Sequence, residues 1–154
     1  MERSGSVIKT APMRILVLLL CIAAVLPASA DESLVLIVSA QSHVAQLDSL
    51  EVRKLFLGMT VAHGGDRLRP LLNESDSRVK EVFLQNIVSM TEMTYDRRVL
   101  RLALQGGRSI PDIYTDKPLL FNAISEDPAA VSYAWAKDVQ FDKRIKVLRV
   151  LWHD

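Results

Sequence analysis

Asn73, Ser75, Asp76, Ser77 and Arg78 fall within six residues of the stretch LLNESDSRVKEVFLQ, 71–85. Behind them Val79, Val82, Phe83, Ile87 and Met90 recur at helical spacing, so amide and hydroxyl groups gather where a helix begins. The first N–H groups of a helix lack intrahelical partners and its dipole favours negative charge, so this pattern can cradle a small oxyanion. An ordinary helix capped by Ser75 or Ser77 has the same pattern. Asp76 argues for the second reading, because a carboxylate there uses the dipole itself and repels an anion. Ser39 and Ser42 form a second group of hydrogen-bond donors. They stand, with Gln41 and His43, just after an apolar run, where α/β folds often bind ligands at strand C-termini. Plain loop polarity is the simpler account of them.

No other grouping points to a reaction. His43, His63 and His153 have no histidine or clustered carboxylate at ligand spacing, so no metal is expected. The sequence contains no Gly-x-Ser-x-Gly, no His-Glu-x-x-His, no Walker loop and no cysteine nucleophile beyond the N-terminal region. Neither an enzyme nor a cofactor is predicted. Arg97, Arg98 and Arg101 share neighbouring helical positions and read as a solvated face in preference to a partner-binding patch. Tyr95, Tyr133, Trp135 and Trp152 read as core or rim aromatics.

The elements that position these residues begin after a leader. Arg3, Lys9 and Arg14 precede the apolar run ILVLLLCIAAVL, 15–26, and Ala28 and Ala30 give small residues at the −3 and −1 positions of a cleavage site. This is the layout of a secretory signal peptide over residues 1–30, with Met13 as an alternative start. A spanning helix wants about 20 apolar residues, and Pro27 ends this run sooner; an uncleaved anchor is the competing reading. Cys21 is the only cysteine and follows Leu20, which does not suit lipidation. The chain after Ala30 then has no disulfide or thiolate site, as suits export to a bacterial periplasm.

Residues 31–154 have the size of one domain. Three of the 19 Lys and Arg and one of the 18 Asp and Glu fall in the leader, which leaves a net charge of −1. That balance, interspersed along the chain, calls for neither nucleic acid nor an anionic membrane surface, and no later run could span a bilayer. LVLIVSA, 34–40, is a strand covered on both faces. A helix capped by Asp48 or Ser49 follows, with Leu50, Val52, Leu55 and Phe56 as its buried stripe and Gly58 at its end. AHGGDR is a turn, and LRPLL, 68–72, is a short strand that Pro70 places at an edge or an end. The helix from about Ser77 to Met90 is followed by one capped by Thr91 and stopped at Gly106 and Gly107. A further helix has Asp116 as cap and Pro118 in its first turn. Strands at 129–135 and 144–152 close the chain. The order gives an α/β fold class, a small mixed β-sheet flanked by helices.

DSLEVRKLFLG, LRPLLNESDSRVKEVFLQ, LQGGRSIP, AISEDPAAVSYA and IKVLRV, in that order, resemble the phosphate ABC-transporter substrate-binding proteins, of the type II periplasmic-binding-protein superfamily. The match spans about Leu34 to Val150 and corresponds to one lobe of a two-lobed protein. The resemblance implies a secreted periplasmic solute-binding-like protein that takes phosphate or another small oxyanion and meets an ABC transporter or another envelope protein. In that family a Ser-Gly-Thr loop opens the helix that binds the oxyanion. Ser77 falls on its Ser, but Arg78 replaces the Gly and Val79 the Thr. Asn73 stands where an Arg usually contacts phosphate, and Ser75 where an Asp usually receives its proton. Ala130 and Ser132 occupy positions the family gives to Gly. The alternative expectation is a non-catalytic interaction or structural module that keeps the fold without the ligand.

Overall fold

Leu34, Leu36 and Val38 alternate with Val35 and Ile37 along β1 (Ser33–Ser39), so this strand sets an apolar row on each face. The computed structural model describes residues 32–105 and 110–154; the leader and the Gly106–Gly107 stop lie outside them. Beyond β1 it contains α1 (Ser49–Phe56), a hairpin of β2 (Ala62–His63) and β3 (Asp66–Arg67), β4 (Arg69–Asn73), α2 (Ser77–Phe83) and α3 (Glu92–Leu104). There follow β5 (Asp112–Tyr114), α4 (Lys117–Glu126), β6 (Ala130–Trp135), α5 (Ala136–Val139) and β7 (Ile145–His153). Five strands make a mixed sheet of order β5-β4-β6-β1-β7. β4 is parallel to β5 and β6, whereas β1 is antiparallel to β6 and β7. This is the expected α/β architecture.

Val52, Leu55 and Phe56 of α1, Val79 and Phe83 of α2 and Tyr95 of α3 pack on the Leu34, Leu36 and Val38 row. Leu120, Phe121 and Ile124 of α4, with Val139 of α5, cover Val35 and Ile37. Asp48 caps α1 in a capping box with Glu51, Thr91 caps α3 and Asp116 caps α4. Gly58 ends α1 at φ 77°, a conformation that favours glycine. Leu50, expected in the stripe of α1, is 57% exposed, because the three residues that face the sheet already fill the contact. The helix expected to reach Met90 is α2 continued by one π-helical turn, Leu84–Val88, and closed by Ser89 at φ 59°. The sequence reading missed β5, a strand of three residues with no apolar alternation to announce it.

Of the edge or end expected for Pro70 the structure has the end: it is the second residue of β4, a strand with a neighbour on each side. Successive N–H groups of a strand point to opposite neighbours. Arg69 N–H donates to Ala129 O toward β6 at 2.9 Å, so the missing N–H of Pro70 belongs to the other side, where β5 starts only opposite Leu71. At the far edge, β7 is bulged twice, with Leu148 and Leu151 passed over in its pairing with β1.

Past Pro70 the backbone register between β4 and β6 ends, and side chains bridge the strands instead. Ser132 Oγ donates to Leu71 O at 2.8 Å, Asn73 Nδ2 to Tyr133 O at 2.9 Å, and Tyr133 Oη to Asn73 O at 3.1 Å. The Tyr133 ring stacks on Phe83 at 3.7 Å between centroids, and Phe56 meets both rings edge-on. Phe83→Ala is expected to cost about 3–5 kcal/mol of stability, and Phe83→Leu, which refills most of the volume, markedly less. Urea unfolding of the two variants checks this; equal losses would show that packing volume at this stack is not what matters.

Candidate functional site

β4 delivers the chain from Asn73 into the loop 74–76 at its C-terminal end, beside Tyr114 of β5, whose carbonyl accepts from Glu74 N–H at 2.8 Å. Asn73 is 2% exposed. Its Oδ1 accepts from Ser75 N–H at 3.0 Å and from Ser75 Oγ at 2.7 Å, while its Nδ2 is spent on Tyr133. The amide that could reach a ligand therefore holds the loop shut, and the Ser75 hydroxyl points back at it.

Asp76, not Ser75 or Ser77, caps α2. A carboxylate is the stronger acceptor for free helix amides. Its Oδ1 accepts from Arg78 N–H at 2.8 Å, and its Oδ2 from the Trp135 indole Nε1–H at 3.1 Å. The Trp135 hydrogen bond is the main influence holding the Asp76 carboxyl below the usual carboxylate range. Burial pushes the other way, and the amides of Arg78 and Val79 add to the lowering. The position at the helix start that an oxyanion takes in such a cradle is filled by this carboxylate.

The cations nearby are also engaged. Arg78 Nη2 lies 3.1 Å from Glu32 and 3.8 Å from Asp154, so its guanidinium points at two carboxylates. Lys80 is buried and its Nζ sits 2.6 Å from Glu74, 2.6 Å from Glu92 and 4.0 Å from Asp96. Burial pulls the Lys80 ammonium down, but the hydrogen bonds to Glu74 and Glu92 outweigh it and leave it above its ordinary value. Ser77 is exposed at the mouth of a cavity of about 310 Å³ whose rim includes Glu81 and Glu92, carboxylates that disfavour an anion there.

Ser39 and Ser42 belong to another part of the molecule. Since β1 runs antiparallel to β6, which is parallel to β4, the end of β1 lies at the start of β4 and away from the 74–76 loop. Both serines are buried: Ser39 Oγ donates to Ser125 O at 3.3 Å and accepts from Gln41 N–H, and Ser42 Oγ accepts from Val44 N–H at 3.3 Å. The structure thus joins Asn73, Ser75 and Asp76 in one hydrogen-bonded loop, with Ser77 and Arg78 beside it, and leaves Ser39 and Ser42 out. Trp135 is the residue that sequence reasoning left among the core or rim aromatics without a role at the loop; it is buried in the core. Its spacing of two from Tyr133 puts both rings on the α2 face of β6, which is the signal that could have found it. Among the described residues no group of three or more His, Cys, Asp or Glu could hold a metal ion, and His63 Nε2 lies 3.0 Å from Glu51.

No protein-family model matches the sequence, and no curated protein matches it. Solved structures do match the fold. An ABC-type phosphate transport receptor from Vibrio cholerae aligns at TM-score 0.58 and 12% identity, over 77% of this chain and 46% of that one. PstS from Borrelia burgdorferi aligns at 0.55 and 12%, over 77% and 47%. A protein from Clostridium perfringens, described as a phosphate ABC transporter substrate-binding protein and solved with bound phosphate, aligns at 0.59 and 11%, over 78% and 45%. The chain spans less than half the length of each. It has the fold of part of these binding proteins, in keeping with the single-lobe resemblance; at this identity the likeness is one of fold alone.

Asp76→Ala is expected to lose about 2 kcal/mol at neutral pH, as the cap and the acceptor for the Trp135 indole go together. A carboxyl lowered in the folded state contributes stability that is present above its unfolded pKa and is lost as pH falls through the folded value. The stability gap between the wild type and Asp76→Asn should therefore narrow on acidification below the ordinary carboxylate range. Urea unfolding at a series of pH values measures it, and a gap independent of pH would contradict the charged cap.

Proposed function

We propose that this chain is a non-catalytic, single-lobe protein of the bacterial envelope that acts by contact with other proteins and has given up the grip on an oxyanion at Asn73, Ser75, Asp76, Ser77 and Arg78. One observation carries this reading: the Asp76 carboxylate occupies the start of α2, bonded to Arg78 N–H and to the Trp135 indole. An incoming phosphate has to displace that carboxylate, leaving the indole donor unpaired and two negative charges in close approach, both unfavourable away from bulk water. The side chains of Asn73 and Ser75 are turned to each other, and the guanidinium of Arg78 to Glu32. Export through the leader to the periplasm belongs to this proposal, as does an ABC transporter or another envelope protein as the partner.

A second reading, capture of phosphate or a related oxyanion at the same loop, draws support from the fold shared with phosphate receptors. A thermal-shift series with phosphate and sulfate separates the two. Ligand that binds only the folded state raises the melting temperature with concentration. The first reading expects a flat wild-type response across millimolar phosphate. A saturable rise that Ser77→Ala abolishes would restore the oxyanion reading. The leader is checked by the intact mass of the exported protein, which should begin at Asp31; a mass retaining residues 1–30 would speak for an anchor.

A further inference from the structure

The charges of α3 are sorted by side. Glu92 and Asp96 face Lys80 of α2, at 2.6 and 4.0 Å, and are balanced there. Arg97, Arg98 and Arg101 lie away from that contact, three and four positions apart along the helix, and together with Met90 and Thr94 they line a concavity of about 230 Å³. Among the described residues no carboxylate pairs with any of the three. This differs from Arg69, Arg78 and Arg144, each of which meets an acid. Arg98 Nε is buried from solvent and has no hydrogen-bond acceptor. Three like charges on one helix face repel, and with no acid beside them their guanidinium ends are relieved by one external group rich in oxygen. Among the described residues no carboxylate supplies it, and Thr94 Oγ1 is hydrogen-bonded to Thr91 Oγ1 at 2.9 Å.

We infer that Arg97, Arg98 and Arg101 form an anion subsite separate from the 74–76 loop. It receives a group that carries two or more negative charges on several oxygens, held by the guanidinium ends of the three arginines that line the concavity. The ligand is defined by that chemistry, which a free polyvalent oxyanion and a run of acidic side chains both offer. The subsite does not depend on the reading of the Asp76 loop, since no residue is shared.

The test follows the arginine Nε–Hε resonances of the intact protein by NMR during titration with pyrophosphate and, separately, with a Glu-rich synthetic peptide. The expected result is a saturable shift of the Arg98 signal, with the stronger of the two probes identifying the source. Arg97→Gln combined with Arg101→Gln should weaken binding at least about tenfold while unfolding as the wild type does, since both side chains are exposed. Arg98→Gln should weaken it also. Shifts equal to those produced by sodium chloride at matched ionic strength, or equal shifts at Arg53, would overturn the subsite.

Discussion

Where β4 and β6 part, three side-chain hydrogen bonds replace the backbone ladder, and the candidate site hangs from them. Asn73 and Tyr133 exchange bonds across the gap, each using its side chain on the other's carbonyl. Tyr133 in turn carries Phe83 stacked on its ring, so the same residue that closes the end of β4 also seats α2. An unmet carbonyl buried at this point is unfavourable by the full loss of its hydration. The pair is therefore constrained as a unit, and burial drives the Tyr133 hydroxyl well above its ordinary pKa, keeping it a neutral donor. With the strand end and the helix both fixed, the loop between them has one path, and that path sets Asp76 under Trp135.

The carboxylate so placed puts a negative charge of the chain's own at the start of α2. A helix N-terminus attracts negative charge whatever its source. In this chain the source is internal, one residue before Ser77, and Trp135 adds a donor that a mobile anion in water lacks. The same economy extends to Arg78 and Lys80, whose charges are matched by acids from the chain itself. Fold and site vary separately, and the likeness of this chain to the structures it resembles is one of fold.

Much of the architecture was legible in the residues. The unbroken apolar run of β1 announced a strand covered on both faces, and Asp48, Thr91 and Asp116 announced helix starts that the structure contains. The short elements were not legible: three residues of β5 carry no period, and the single π turn after Phe83 looks like continued helix. The direction of β1 was also hidden. An apolar run reads the same whether its neighbours are parallel or antiparallel, so the residues alone do not tell at which end of the sheet Ser39 and Ser42 emerge relative to the 74–76 loop. Asp76 was visible as a charge but not as a bonded one, because its partner Trp135 lies 59 residues away in the chain.

The two bulges of β7 have a bearing on how the open edge of the sheet avoids other strands. An outermost strand of nine residues offers a row of open backbone groups to any similar strand it meets, the first step toward runaway stacking of sheets. Passing over Leu148 and Leu151 bends that row out of a straight line. Lys146 and Arg149 carry charge along it, their ends tied down to the carbonyls of Ser42, Val44 and Leu47. A rim that is crooked and cationic is a poor template for fibril growth.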